Sequence, residues 1–230
     1  MENQVKKITA IKAGKNFRLK RSNIYLDGKF AFSLADDVVV QQKLQVGQNL
    51  SEQSLESLDC QDKQLRCLNA AYRLLGVRPR SRSEIVQRLA RLGFSEGAIN
   101  PVIEKLIRLD FLDDSAFAEY WKDNRMVFRP RSRLLLKSEL RQKGIEPEII
   151  EAAAGTLDED GNAYRAASIK ARNLSAADYP VFQKKLSGFL QRRGFSYSVT
   201  KSTVKKVWQE RSGQPAAEND NEEDTGASPD

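Results

Sequence analysis

Hydrophobic residues follow two different periods along this chain. Between residues 5 and 34 they alternate in short runs: Val5 to Ile11, then Asn23-Ile24-Tyr25-Leu26 and Lys29-Phe30-Ala31-Phe32 on either side of Asp27-Gly28. Alternation is the mark of strands. Asp-Gly between two such runs signals a type I′ hairpin, because both turn positions need positive φ. The two-residue loop pairs Leu26 with Lys29 and Tyr25 with Phe30, and predicts that Tyr25, Phe30 and Phe32 share one face. We read these aromatics as core rather than as a base-stacking platform. So small a sheet needs a cover; Ala35 to Leu44, with Val38 and Val39 inward and a stop near Gly47, is the predicted covering helix. From Ser51 the period becomes helical: Leu55, Leu58, Leu65, Leu68, Tyr72 and Leu75 recur in steps of three, four and seven up to Gly76. This is an amphipathic helix, with a bend allowed for near its polar middle at Gln61-Asp62.

Beyond Gly76 the pattern repeats itself. Arg78-Pro79-Arg80-Ser81-Arg82 returns unchanged as Arg129-Pro130-Arg131-Ser132-Arg133, an offset of 51 kept by Ile85/Leu136, Leu89/Leu140, Gly93/Gly144 and Leu106/Leu157. Pro180, Leu186, Leu190, Gly194 and Val207 form a third copy at an offset of 50. In each copy the Pro segment ends one element; Ser81 and Ser132 are placed to cap the next helix, and Ser81 with Glu84 reads as a capping box. Apolar pairs spaced by four turn that helix inward. Gly93, Gly144 and Gly194 suit the left-handed position after it. A third helix follows each glycine; in the first copy its regular part is predicted to start at Asn100, because Pro101 is tolerated at the first helical position and not inside a helix.

With a further helix before each Pro segment (near 63–75, 115–127 and 162–173), every copy is three short helices. The predicted fold is mainly α: three tandem three-helix repeats in an elongated array roughly 75 Å long, after a small N-terminal β-hairpin/α region. The expected divisions are residues 1–50 for that region, 51–112 for the linking helix and first repeat, 113–160 and 161–210 for the second and third, and 211–230 for a disordered acidic tail.

Charge sharpens this picture. Thirty-eight Lys plus Arg against 31 Asp plus Glu give +7, and since the last nineteen residues carry six acids and no base, the remainder carries +13. A body this basic suits a polyanionic partner. His is absent, which removes imidazole bases, Ser-His-Asp and Cys-His systems and His-containing metal sites. Cys60 and Cys67, seven apart on a predicted helix, lie about 10 Å apart along its axis, too far for a disulfide. Asp36-Asp37, Asp113-Asp114 and Asp158-Glu159-Asp160 stand at expected helix starts and read as caps rather than metal or acid catalysts. Trp121 and Trp208 read as packing anchors. No phosphate-binding loop or dinucleotide fingerprint occurs, so neither catalysis nor a cofactor or metal is expected. The start, MENQVKK, has no apolar core and no apolar run approaches 18 residues, so a cytosolic, soluble protein is expected.

The cations gather at the middle helix of each repeat. Residues 78–91 hold Arg78, Arg80, Arg82, Arg88 and Arg91 against Glu84 alone; residues 129–143 hold Arg129, Arg131, Arg133, Lys137, Arg141 and Lys143 against Glu139. Residues 184–206 hold Lys184, Lys185, Arg192, Arg193, Lys201, Lys205 and Lys206 and no acid. These eighteen are the candidate partner-binding residues. Arg80, Arg82, Arg131 and Arg133 surround helix N-termini, where the macrodipole disfavours cations by some tenths of a kcal/mol each. Either an external phosphate or carboxylate compensates, or acids such as Asp113, Asp114 or Asp158 do; for Arg80 and Arg131 both readings stand.

RPRSRSEIVQRLARLGF (78–94), LDFLDDSAFAEYW (109–121), RSRLLLKSELRQKGI (131–145) and LQRRGFSY (190–197), in this order, resemble the RecX family, regulators of the RecA recombinase. The resemblance spans about residues 60–209, and the N-terminal hairpin looks like the extension found in part of that family. It implies an all-helical three-repeat body that lodges in the groove of the RecA–single-stranded DNA filament, bridges protomers, and damps filament growth, strand exchange, ATP hydrolysis and co-protease activity. A monomer is expected, with binding to bare DNA that is weak, salt-sensitive and sequence-tolerant. Pro101 and the acidic tail depart from the family pattern. A helix-turn-helix-like transcription regulator, reading bases through Arg88 and Arg91, is the alternative. On the filament reading, changing Arg129, Arg131 and Arg133 to Glu weakens filament binding and leaves thermal stability nearly unchanged.

Overall fold

The structure, a computed structural model, describes residues 5–14, 20–174 and 178–213. It divides into two compact units, Met1–Phe117 and Ala118–Asp230.

In the first unit, β1 (Lys6–Ala13), β2 (Arg21–Leu26), β3 (Lys29–Ala35) and β4 (Asn49–Leu50) make an antiparallel sheet in the order β3-β2-β1-β4. The hairpin is as expected: Asp27 and Gly28 both have positive φ, 48° and 81°, and Tyr25 faces Phe30. The shared aromatic face is not. A bulge at Ala31 sets Phe32 opposite Ile24, so Phe32 packs into the sheet core while Phe30 stays 59% exposed, edge-on to Tyr25 at 5.9 Å. One extra residue in β3 is enough to undo a strict two-residue alternation.

The cover is also shorter than expected. Helix α1 (Asp36–Gln41) buries Val38 but closes at Lys43, whose φ of 48° lets Leu44 N–H reach Val39 O and its own N–H reach Val40 O, a Schellman turn. The covering is shared with α2 (Glu52–Leu75), started by Ser51, whose hydroxyl accepts Ser54 N–H. Its first half lays Leu58 on Ile8, Ile24 and Leu34; its second half gives Cys67, Leu68, Ala70 and Ala71 to the core of the first repeat. The helix is unbroken at Gln61-Asp62. Asp62 is buried and accepts from Arg21 Nη1 and Nη2 at 3.1 and 3.0 Å and from Ala35 N–H at 2.8 Å, so a polar residue that suggested a bend instead pins the sheet to the helix.

Helix α3 (Arg82–Arg91) is capped by Ser81 and ends at Gly93, φ 87°. Helix α4 (Glu96–Arg108) starts four residues before the expected Asn100 and carries Pro101 inside it. Proline there loses the bond to Gly97 O and costs about 3 kcal/mol. Starting early buries Ala98 and Ile99 beside Val102, Ile103 and Leu106, and a buried Ile alone returns about 1.5–3 kcal/mol.

Helix α5 (Asp114–Phe128) leads into the second unit, followed by α6 (Arg133–Gln142), α7 (Pro147–Gly155), α8 (Glu159–Ala171), α9 (Tyr179–Arg192) and α10 (Tyr197–Ser212). Leu136, Leu140, Ile145, Ile150, Ala154 and Leu157 are buried in the second repeat; Ala163, Ala167, Phe182, Leu186, Leu190 and Val204 form the core of the third. Trp208 packs there against Tyr179 and Phe182 with tilted rings, centroids 5.4 and 5.1 Å apart. Gly144 and Gly194 take the left-handed position, φ 73° and 83°. At Gly194 a Cβ would lie 2.4 Å from Ser132 Oγ and 2.6 Å from Leu135 Cγ, so the third repeat is seated against the second through a missing side chain. The last helix runs through Ser212 to Gly213, past the expected start of the tail, whose acidic stretch lies outside the described residues. Among the described residues no helix is long and apolar enough to cross a membrane.

Candidate functional site

The candidate cations fall into two groups, those engaged within the protein and those facing solvent. Arg78 forks onto Glu84 at 3.1 and 2.9 Å, tying the Pro79 turn to the first turn of α3. Arg80 sends Nε back to Leu74 O at 3.0 Å. That carbonyl belongs to the last turn of α2, the negative end of its dipole, so the cation that seemed misplaced at the start of α3 sits correctly at the end of α2. Burial, and after it the charge of Arg78, hold the Arg80 guanidinium below its ordinary pKa. Arg133 repeats the device in the second unit, donating Nη2 to Leu157 O at 3.0 Å just past α7. Arg131 pairs with Glu139, and Arg193 donates Nη1 to Pro130 O at 2.9 Å. Lys137 pairs with Glu151 at 2.5 Å; Lys143 lies 4.8 Å over the Trp121 ring. Lys205 is half-buried.

The aspartates suggested as partners are otherwise employed. Asp114 accepts the backbone N–H of Arg82 at 2.8 Å; Asp113 accepts from Ser115 and Ala116 N–H at 2.7 and 3.1 Å; Asp158 accepts Gly161 N–H at 3.0 Å. Short side chains at helix starts are held by backbone donors, and the longer Glu84 and Glu139 reach the guanidiniums instead.

Facing solvent are Arg82, Arg88 and Arg91 in the first unit and Arg129, Arg141, Lys184, Lys185, Arg192, Lys201 and Lys206 in the second, Lys206 also lying 4.7 Å over Tyr164. Arg91 and Arg192 occupy the same place in the last turn of α3 and α9, and Arg141 stands one position short of it in α6. There the helix dipole favours a cation.

Two features escaped the sequence reading. Arg125, at 4.3 Å over Trp121, donates Nε to Glu139 at 2.6 Å, and Trp121 Nε1 donates to the same carboxylate at 2.7 Å. The spacing of four on one helix, Trp121 to Arg125, was the available signal. In the first unit a groove of about 710 Å³ is lined by Arg21, Arg66, Arg73, Leu74, Leu92 and Phe94. Among the described residues no group of three or more His, Cys, Asp or Glu is placed to hold a metal.

Comparison with known proteins finds family matches along much of the chain. Residues 6–51 match the regulatory protein RecX N-terminal domain, residues 67–106 the first three-helix domain of RecX, and residues 113–153 its second three-helix domain. Regulatory protein RecX of Chlorobium phaeobacteroides (strain BS1) is 36% identical over 150 residues, spanning 65% of this chain and 97% of that protein. Regulatory protein RecX of Bacillus pumilus (strain SAFR-032) is 30% identical over 207 residues, spanning 87% and 77%. A crystal structure of regulatory protein RecX superposes with a TM-score of 0.63 at 28% identity, covering 86% of this chain and 98% of its own; RecX from Lactobacillus salivarius gives 0.55 at 28% identity, covering 64% and 97%. The matched segments fall on the sheet region and the first two helix triplets, and with relatives of this kind aligned along most of their length, the chain belongs to the RecX family of regulatory proteins.

Proposed function

We propose that the protein is a non-catalytic modulator of the RecA recombinase that binds the RecA–single-stranded DNA filament and limits its growth and activity. Membership of a family of regulatory proteins named RecX supports the regulatory half of this reading. The observation that carries the filament half is the recurrence of solvent-facing cations, Arg91, Arg141 and Arg192, at the end of the middle helix in all three repeats. A series of similar modules offering similar charges suits a target that is itself repetitive and acidic. The protein acts as a cytoplasmic monomer on this reading and needs no cofactor.

The test is RecA ATP hydrolysis on single-stranded DNA with the protein titrated in below one per recombinase. The parent lowers the rate, and the variant R91E/R141E/R192E lowers it at least about tenfold less effectively while melting within a degree or two of the parent, since surface substitutions of this kind change stability by about 0.5 kcal/mol or less. Arg131 and Arg133 are left out of the variant because Glu139 and Leu157 O hold them. An unaffected hydrolysis rate ends the proposal, and tight binding to one duplex sequence would move it to transcription regulation.

A further inference from the structure

The turn joining α5 to α6 is gripped on its backbone from three sides. Arg193 Nη1 donates to Pro130 O at 2.9 Å, Asn162 Nδ2 donates to Arg131 O at 2.7 Å, and Ser132 N–H donates to Arg193 O at 3.0 Å. The close approach of Gly194 to Ser132 and Leu135 locks the same junction. Arginines cluster on this fixed frame. Arg129 is exposed, Arg131 and Arg193 are half-buried, and Arg125 lies one turn back on α5. Among the described residues the ion pairs of these four arginines reach one carboxylate, Glu139, through Arg125 and Arg131, so three positive charges are left over. Burial, and after it the charges of Arg131 and Arg129, lower the Arg193 pKa, which is the mark of like charges kept together by the fold. Phe128, next to Arg129 in the chain, is 73% exposed.

We infer that this junction of the second and third repeats binds single-stranded nucleic acid, with the exposed Arg129 on a backbone phosphate, the nearby charges of Arg131 and Arg193 adding to its attraction, and the Phe128 ring under an unpaired base. The inference deepens the proposed function and rests on its filament half, in which the target contains single-stranded DNA. Guanidiniums on a backbone that no longer has to be ordered bind phosphate with little entropic cost. An exposed aromatic ring on the residue before Arg129 suits a strand whose base faces are open, whereas a duplex hides those faces in its stack. A carboxylate on a protein surface would satisfy the arginines and leave Phe128 unused.

The test is fluorescence anisotropy of a labelled oligothymidylate and of a matched duplex against the full-length protein, with no recombinase present, so the result stands or falls independently of the filament reading. R129E weakens oligothymidylate binding about tenfold at low salt and reduces the slope of log affinity against log salt by about 0.7 for each phosphate that is no longer neutralised. R129K keeps the charge and recovers most of the affinity. F128A weakens the single strand about fivefold or more and leaves the duplex unchanged. Full oligothymidylate affinity in R129E, or an F128A effect that is nil or equal on strand and duplex, overturns the inference. So does an R129E protein that binds the strand normally but no longer slows the recombinase, which would assign the arginines to a protein carboxylate.

Discussion

At Gly194 the backbone is left-handed, φ 83°, and passes so close to α6 that one methyl group would overlap both Ser132 Oγ and Leu135 Cγ. Gly93 has almost the same φ, 87°, but nothing within 4 Å of where its Cβ would be. The two positions separate conformational cost from steric cost. G93A loses about 1–2 kcal/mol for the left-handed backbone alone. G194A loses that and the seating of the third repeat on the second, and its urea midpoint falls further than that of G93A. Equal midpoints would mean that α6 yields without penalty. The sequence marked both glycines as helix terminators, and both are; that only one also touches another helix depends on a residue 62 positions earlier in the chain, which no local pattern reveals. The arginines behave alike. Arg131 and Arg129 are indistinguishable by composition, yet Arg131 is paired with Glu139 while Arg129 faces solvent.

Among the elements, the repeat was legible because its signals are local: Ser81, Ser132, Gly93, Gly144 and Gly194 mark where helices start and stop within a few residues of themselves. At the start of α4 the proline signal and the repeat's own frame disagree, and the structure follows the frame. Ser95, Glu146 and Ser196 precede α4, α7 and α10 at offsets of 51 and 50, and Pro147 occupies the first position of α7, so the frame already indicated a start at Glu96. Pro101 is thus an exposed residue inside a helix that tertiary burial has extended through it. P101A restores an N–H aimed at Gly97 O and raises the melting temperature, by about 1–3 kcal/mol of added stability. A fall would mean that the irregularity proline imposes is needed for packing of Val102 and Ile103. The aromatic face failed for the complementary reason: a bulge at Ala31 leaves no trace in hydrophobic alternation, because the pattern fits either register until the strand pairing is known.

For the molecule as a whole, composition announced a basic body and a tail of opposite sign, and patterning announced three-helix modules after a small sheet. What it could not apportion was the charge. Arg80 and Arg133 close off helix ends, Arg193 grips a turn 63 residues away, Arg78, Arg131 and Lys137 pair with glutamates, and cations such as Arg91, Arg129 and Arg192 face solvent, a division that only tertiary structure makes. Helix α2, about 36 Å long, continues from the sheet core into the first triplet, and Asp62 ties its middle to Arg21 and the end of β3. Native-state hydrogen exchange should therefore show the amides of β2 and of the second half of α2 opening together; independent opening of the sheet would contradict this.

That shared helix also has a mechanical meaning. A tug on the hairpin tip at Asp27-Gly28 meets no hinge before it reaches Leu68 and Ala71, so anything that grasps the N-terminal sheet takes hold of the first triplet as if by a handle. Shearing the handle off at residue 51 would strip Leu58 of its neighbours and leave the Asp62 carboxylate facing water without its arginine, blunting the shaft that the first triplet is built on.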